Sequence, residues 1–402
     1  MTVPQQELST YSAAFSKARD ASQRIYAELI PIYEATDRAM ARTSTPNPAE
    51  VSSFVAAAPG DQTVEPLSRA FIGSLGPGFR RQALPCRVFE PHPTLNLRCQ
   101  AFAIVARYNE LMVAATEDAN RPAISQEIAS VQAAISPFVA LSQTVSGPIA
   151  GMSFTAITAM LDEARTAQAN DRIATILRDG LPQIRELIAL LKRDVELVYE
   201  VKRAATETEY ALIRARFSQA DDTFMGIYEL FEAPSTSDEQ VYPLFAKLTA
   251  DYREALEPLA HVDELGVTKR LAYLEEPRDD PDPFTADEVG ELSLFLANVE
   301  AQSAAFLAAE KNFKTFDKAL QEYDRMLSKL DLAAGELYVA TAPEPLVNPA
   351  SLLMFISGPL QWVGLAPGTD EAANDAGLST LLTEIFLHAD LIQDLLLPVE
   401  NW

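Results

Sequence analysis

The residues able to do chemistry are few. Two cysteines, Cys86 and Cys99, and three histidines, His92, His261 and His388, are all the thiol and imidazole groups the chain has. No Cys-x-x-Cys occurs, and three histidines are too few for a zinc-finger pattern. The cysteines flank Arg87-Val-Phe-Glu-Pro-His-Pro-Thr-Leu, a stretch that reads as extended and as the place for a small strand pair. They either close a loop as a disulfide or stand as two separate buried thiols, and both readings are open. Glu384 and His388 lie one helical turn apart, as do Glu257 and His261, so each pair would offer two ligands to a metal. The carboxylate-iron bundle pattern needs Glu-x-x-His twice, and neither pair has that spacing. Solvated or capping histidines are the simpler reading.

Asp280, Asp282 and Glu291 match positions 1, 3 and 12 of a calcium loop. Phe284 and Thr285 break it, where an oxygen ligand and a glycine turn are required. Gly76-Pro-Gly78 lacks the third glycine of a dinucleotide loop, and no Walker or Gly-x-Ser-x-Gly motif is present. The sequence therefore offers no catalytic constellation, no metal ligand set and no cofactor site.

What would position such residues is almost all helix. Leu181, Ile184, Ile188, Leu191, Val195 and Val198 alternate at steps of three and four, with charges of both signs between them. This central rod spans 181–232. Leu292, Val299, Phe306, Phe313, Leu320 and Leu327 recur every seven residues along another long helix, which Thr285 and Glu288 open as a capping box. Further helices are expected at 7–42 with a kink at Pro31, at 48–58 and 63–75, at 96–116, from Pro122, at 162–178, at 238–260 and at 378–397. Fifteen glycines in 402 residues and abundant alanine favour helix over sheet. The fold class is all-α: an elongated bundle of long antiparallel helices with coiled-coil-like seams and little or no β-structure. The expected division is a helical bundle over 1–276, holding the central rod and a cysteine loop at 84–99. An acidic helical region, 284–402, packs on the same bundle beyond the Pro-rich connector near 275–283.

From Ile128 to Leu161 no residue is charged for 34 positions, while Pro137, Gly147-Pro148 and Gly151 interrupt the run. It is too polar and too broken for a transmembrane helix, which wants about 20 apolar residues. A buried helix pair turning near Val145-Ser-Gly-Pro accounts for it. The sharper reading is a membrane-inserting or partner-binding segment carried by Phe138, Ile149, Met152, Phe154 and Ile157.

Net charge is −25 and strongly asymmetric: residues 219–300 hold 20 acidic against 5 basic residues, and 301–402 hold 14 against 5. A solvated acidic surface explains this, with docking of a basic partner as the sharper possibility. Nucleic-acid binding is disfavoured, because no basic stripe exists to displace counterions. A disulfide would point to export, yet the start lacks a charged region followed by an apolar core. The expectation is a periplasmic or exported chain, lipid-anchored in a mature form, ahead of a cytoplasmic one. The function expected is a non-catalytic helical scaffold or interaction protein of a bacterial cell envelope, binding a protein partner or itself. The alternative is an α-helical pore-forming or membrane-remodelling protein that sequesters 128–161.

Overall fold

A computed structural model describes residues 5–42, 86–89, 91–116, 121–144, 151–167, 170–230, 241–275, 286–340 and 377–396. Among them the chain is helical throughout and no strand occurs. The helices are α1 (Gln5–Ala27), α2 (Ile30–Arg42), α3 (Pro93–Thr116), α4 (Arg121–Thr144), α5 (Gly151–Thr166), α6 (Asn170–Asp179), α7 (Leu181–Leu230), α8 (Val241–Leu256), α9 (Val267–Glu275), α10 (Ala286–Ala340) and α11 (Leu378–Leu396). The protein is an all-α bundle. The helices expected at 48–58 and 63–75, the Thr285 cap, most of the calcium-like stretch and the Val145-Ser-Gly-Pro turn lie outside the described residues.

Local chemistry explains the main breaks. The first helix divides before Pro31, whose ring would crowd the carbonyl four residues back and which has no N–H to give it. The chain turns at Glu28–Leu29, and the Ile32 and Tyr33 amides both donate to the Leu29 carbonyl, at 3.0 and 3.1 Å. Between α6 and α7 the chain turns at Gly180, and Pro182 follows as the second residue of α7, where a missing N–H costs nothing. Gly266 adopts φ +68°, a left-handed value that suits glycine, between a 3₁₀ turn at Asp263–Leu265 and α9.

Three expectations need correction. The cysteine segment forms no strand pair: Cys86–Phe89 is a 3₁₀ turn, and Cys99 sits within α3 rather than in a loop. The reason is Pro93, which opens a helix at its first position instead of prolonging an extended chain. The boundary placed at Asp162 does not exist either, because α5 starts at Gly151 and runs through it. Charge appears there without a change of period. The short helix α9, too brief to show two turns of periodicity clearly, was not anticipated.

Two compact units emerge, and they interleave along the sequence. The first draws on Met1–Glu34, Val64–Glu200 and Phe316–Trp402, the second on Ala35–Thr63 and Val201–Thr315. Both units therefore take residues from each side of the 275–283 connector, and α7 and α10 each contribute to both. In the first unit α1 packs against α3 and α11, α3 against α4 and α6, and α4 against α5. Its core includes Phe15, Phe102, Ile104, Val105, Leu111, Leu187, Leu327 and Ile385. In the second, Phe217, Phe224, Tyr252, Leu256, Leu292, Val299 and Phe306 share one apolar cluster.

The α10 seam is buried at Leu292, Leu296, Val299, Phe306, Phe316, Leu320, Tyr323, Leu327 and Leu330, while Phe313 is only half-buried. A straight helix drifts by about 20° per heptad. Leu320 and Leu327, further along the same seven-residue row, are buried, so Phe313 is a local departure and not the result of that drift, and Phe316 three residues on is buried in its stead.

Candidate functional site

The first unit carries a buried polar layer to which four helices contribute. Tyr26 on α1 and Tyr323 on α10 bring their hydroxyls to 2.7 Å, with rings edge-on at 6.2 Å. Arg98, on α3, donates from Nη2 to Asp194 Oδ1 of α7 at 2.8 Å and from Nε to the second carboxylate oxygen. Its guanidinium lies 6.0 Å over the Tyr26 ring. Ser22 bonds the Tyr323 hydroxyl, and Gln23 Nε2 donates to Cys99 Sγ at 3.3 Å. Cys99 is bonded to Cys86, with Cα atoms 5.6 Å apart, so the 3₁₀ turn is tied to α3 at this level.

Burial sets the protonation of this layer. It pushes both phenols above their ordinary range, Tyr26 well above it, because a phenolate there would lose its hydration. Burial also works against the charge on Arg98, but the Asp194 hydrogen bonds and field outweigh it and raise the guanidinium's affinity for its proton. At neutral pH the layer holds two neutral phenols and one bidentate ion pair. It has no phenolate to attack a substrate, and its carboxylate is already engaged by Arg98. What it does is join α1, α3, α7 and α10.

The same pattern recurs elsewhere. Arg185 of α7 grips Asp331 of α10 bidentately at 2.8 and 3.1 Å. Gly335 lies beside it: a Cβ there would stand 3.4 Å from Arg185 Nη1, an ordinary contact. Tyr108 donates its hydroxyl to the Leu177 carbonyl. In the second unit the Tyr252 hydroxyl bonds buried Asp221, and Arg270 reaches Asp221 and Asp222 at 3.0 Å each. Phe224 stacks on Tyr252 with ring centres 4.1 Å apart. Burial, then the Asp221 charge, raises the Tyr252 phenol.

Both histidines named from the sequence meet a glutamate other than the one a turn away. His388 Nδ1 lies 2.6 Å from Glu322 on α10, while Glu384 pairs with Lys329 at 2.7 Å. His261 Nε2 lies 3.2 Å from Glu310, which also takes a 2.7 Å bond from Lys314. None of these contacts joins a histidine to the glutamate one turn before it. Among the described residues no group of three acidic, His or Cys side chains is placed to hold a metal.

In the uncharged run, Ile157 is buried, together with Ile128, Val131, Ile135 and Leu161. Phe138, Ile149, Met152 and Phe154 lie outside what the structure describes of side chains. Among the described residues, the helix long and apolar enough to cross a membrane by length and composition is Leu292–Ala340, and the core helix of a soluble protein passes the same test.

Sequence reading missed Arg98–Asp194, Tyr26–Tyr323 and Asp221–Arg270. A signal existed for the first: Arg98 sits among Leu95, Cys99, Ala101 and Phe102, on a helix with no other basic residue before Arg107. A lone charge on an apolar helix asks for a buried partner, but the identity of that partner is a tertiary fact. No protein-family model, no curated protein and no solved structure matches this chain.

Proposed function

We propose that this chain is a non-catalytic helical scaffold or protein-interaction protein of a bacterial cell envelope. The observation that carries the reading is the use made of its buried and half-buried ionisable groups. Arg98, Asp194, Arg185, Asp331, Asp221 and Arg270 are each engaged by a group on another helix. Reactive sites keep such groups facing a cleft with their proton affinities poised near the working pH. Here burial raises the phenols' proton affinity further above the working pH and keeps them neutral. The Cys86–Cys99 bridge supports an oxidising compartment, since disulfides persist outside the cytosol. The acidic excess after Ser218 supports a basic protein surface as partner.

Cross-linking in the native host, followed by fractionation and mass spectrometry, tests the reading. Cross-links from residues 219–300 to a basic envelope protein, weakened by raised salt, are the expected result. A monomer found only in the cytosol, without reproducible cross-links, would overturn it. The membrane-inserting alternative has its own outcome: liposome leakage that Ile149→Asp abolishes would replace the scaffold reading with a pore-forming one.

A further inference from the structure

Within the first unit the Ser22, Arg98 and Asp194 layer has a counterpart that no direct contact completes. An α-helix turns 100° per residue, so 11 residues make three turns to within about 20° and advance about 16 Å. Eleven residues before Ser22 on α1 stands Tyr11. Eleven after Arg98 on α3 stands Asn109, and eleven before Asp194 on α7 stands Gln183. The helices run antiparallel in the required sense. Phe15 meets Phe102 at 5.8 Å and Gln23 meets Cys99, which sets α1 against α3. Arg98 meets Asp194, which sets α3 against α7. The three polar side chains therefore return to one level on the faces that the upper layer already uses. Two spacings agree. Asn109 lies one heptad, or two turns, beyond Phe102, and Tyr11 lies one turn before Phe15 with ring centres 6.4 Å apart, while Phe102 and Phe15 meet each other. Tyr11 also lies within the fields of Arg185 and Asp331, the pair joining α7 to α10.

Both Tyr11 and Asn109 are fully buried. The Tyr11 hydroxyl, both polar atoms of the Asn109 amide and the Gln183 carbonyl oxygen have no hydrogen-bond partner in the protein. Each such group destabilises the fold if it stays unpaired. Several converging on one level call for a ligand that both donates and accepts. The nearest charges, Arg185 and Asp331, neutralise one another in a bidentate pair, so neither selects an ion.

We propose that Tyr11, Asn109 and Gln183 form an internal binding site for ordered water. A buried water makes about three hydrogen bonds, typically to groups otherwise unsatisfied. The three side chains supply a hydroxyl that can do either, an amide with two donors and an acceptor, and a further acceptor. The layer then links α1, α3 and α7 through solvent, as the upper layer links them directly.

The sign of two substitutions decides between a wet and a dry layer. If water bridges these groups, Tyr11→Phe and Asn109→Leu each remove one of its anchors and lower the urea midpoint. In a dry layer each removes an unpaired buried group and raises the midpoint. Oxygen-17 relaxation dispersion of water counts long-lived internal molecules in the same samples. Wild type is expected to exceed Tyr11→Phe by one or more. An unchanged count in Tyr11→Phe, or a raised midpoint, would overturn the proposal. If Asn109→Leu does not fold, Tyr11→Phe, which only deletes an oxygen, carries the test.

Discussion

Arg98 shows what a single side chain risks in this protein. Its side chain is about one-tenth exposed and, among the described residues, Asp194 is the carboxylate that holds its charge. Truncating one partner of a buried pair strands the other charge. Asp194→Ala is therefore expected to cost about 3–5 kcal/mol. Replacing both residues together, Arg98→Met with Asp194→Leu, should cost far less, because no charge is left behind. Urea unfolding of the three variants checks this, and equal losses for single and double replacement would contradict it. Gly180 gives a second test. A Cβ at that position would overlap the Tyr108 hydroxyl, which is buried and committed to the Leu177 carbonyl. Gly180→Ala should destabilise by about 1–3 kcal/mol, as overpacking does. Adding Tyr108→Phe removes the overlapping oxygen and should recover part of that loss, read as a rise in thermal midpoint over the single variant.

At the level of elements, the cysteine bridge and the α10 seam behave differently from their sequence appearance. Cys86 and Cys99 are 13 positions apart, and the bond joins a 3₁₀ turn to the first turns of α3. Replacing both by serine frees that short loop in the unfolded chain, an entropic loss of about 2–3 kcal/mol of stability. Denaturant curves for oxidised protein and the double variant measure it, and coincident curves would show that the bridge restrains nothing. The α10 seam was legible because seven-residue recurrence needs only side-chain type. Phe313 departs from it while Phe306, Leu320 and Leu327 of the same row stay buried, so the departure is local and not a drift of the whole helix. Which phenylalanine yields depends on the neighbours, and those come from elsewhere in the chain.

Taken whole, the molecule should be sensitive to alkali. Tyr11, Tyr26, Tyr108, Tyr252 and Tyr323 all have phenols raised above their ordinary value, chiefly by burial. In the unfolded chain they ionise near pH 10. Above that pH the unfolded state binds fewer protons than the folded one, so stability falls as pH rises; below it these groups contribute no slope. Each phenol steepens the loss by up to about 1.4 kcal/mol per pH unit. Urea midpoints should be flat up to about pH 9 and then drop. Tyrosinate absorbance should appear together with unfolding rather than before it. Early ionisation of these five tyrosines in folded protein would contradict the burial described here. By contrast Tyr210, stacked on Phe306 at 5.1 Å, is raised only to about 12.

Helical class, the long rods and their approximate ends were determined by the sequence alone, because period, proline and capping are local properties of the chain. Gln5–Ala27, Leu181–Leu230 and Leu378–Leu396 all follow from such signals. The absence of a recognisable reaction motif was equally local. Tertiary structure alone decided that Arg98 meets Asp194, that His388 and His261 meet Glu322 and Glu310 of α10, and that the two units interleave along the sequence. The physical reason is that helix faces in one bundle compete for each other by packing and by the need to satisfy buried charge. Those choices join residues 96 positions apart in the case of Arg98 and 297 apart in the case of Tyr26. No periodicity within a single helix encodes which distant face it will meet.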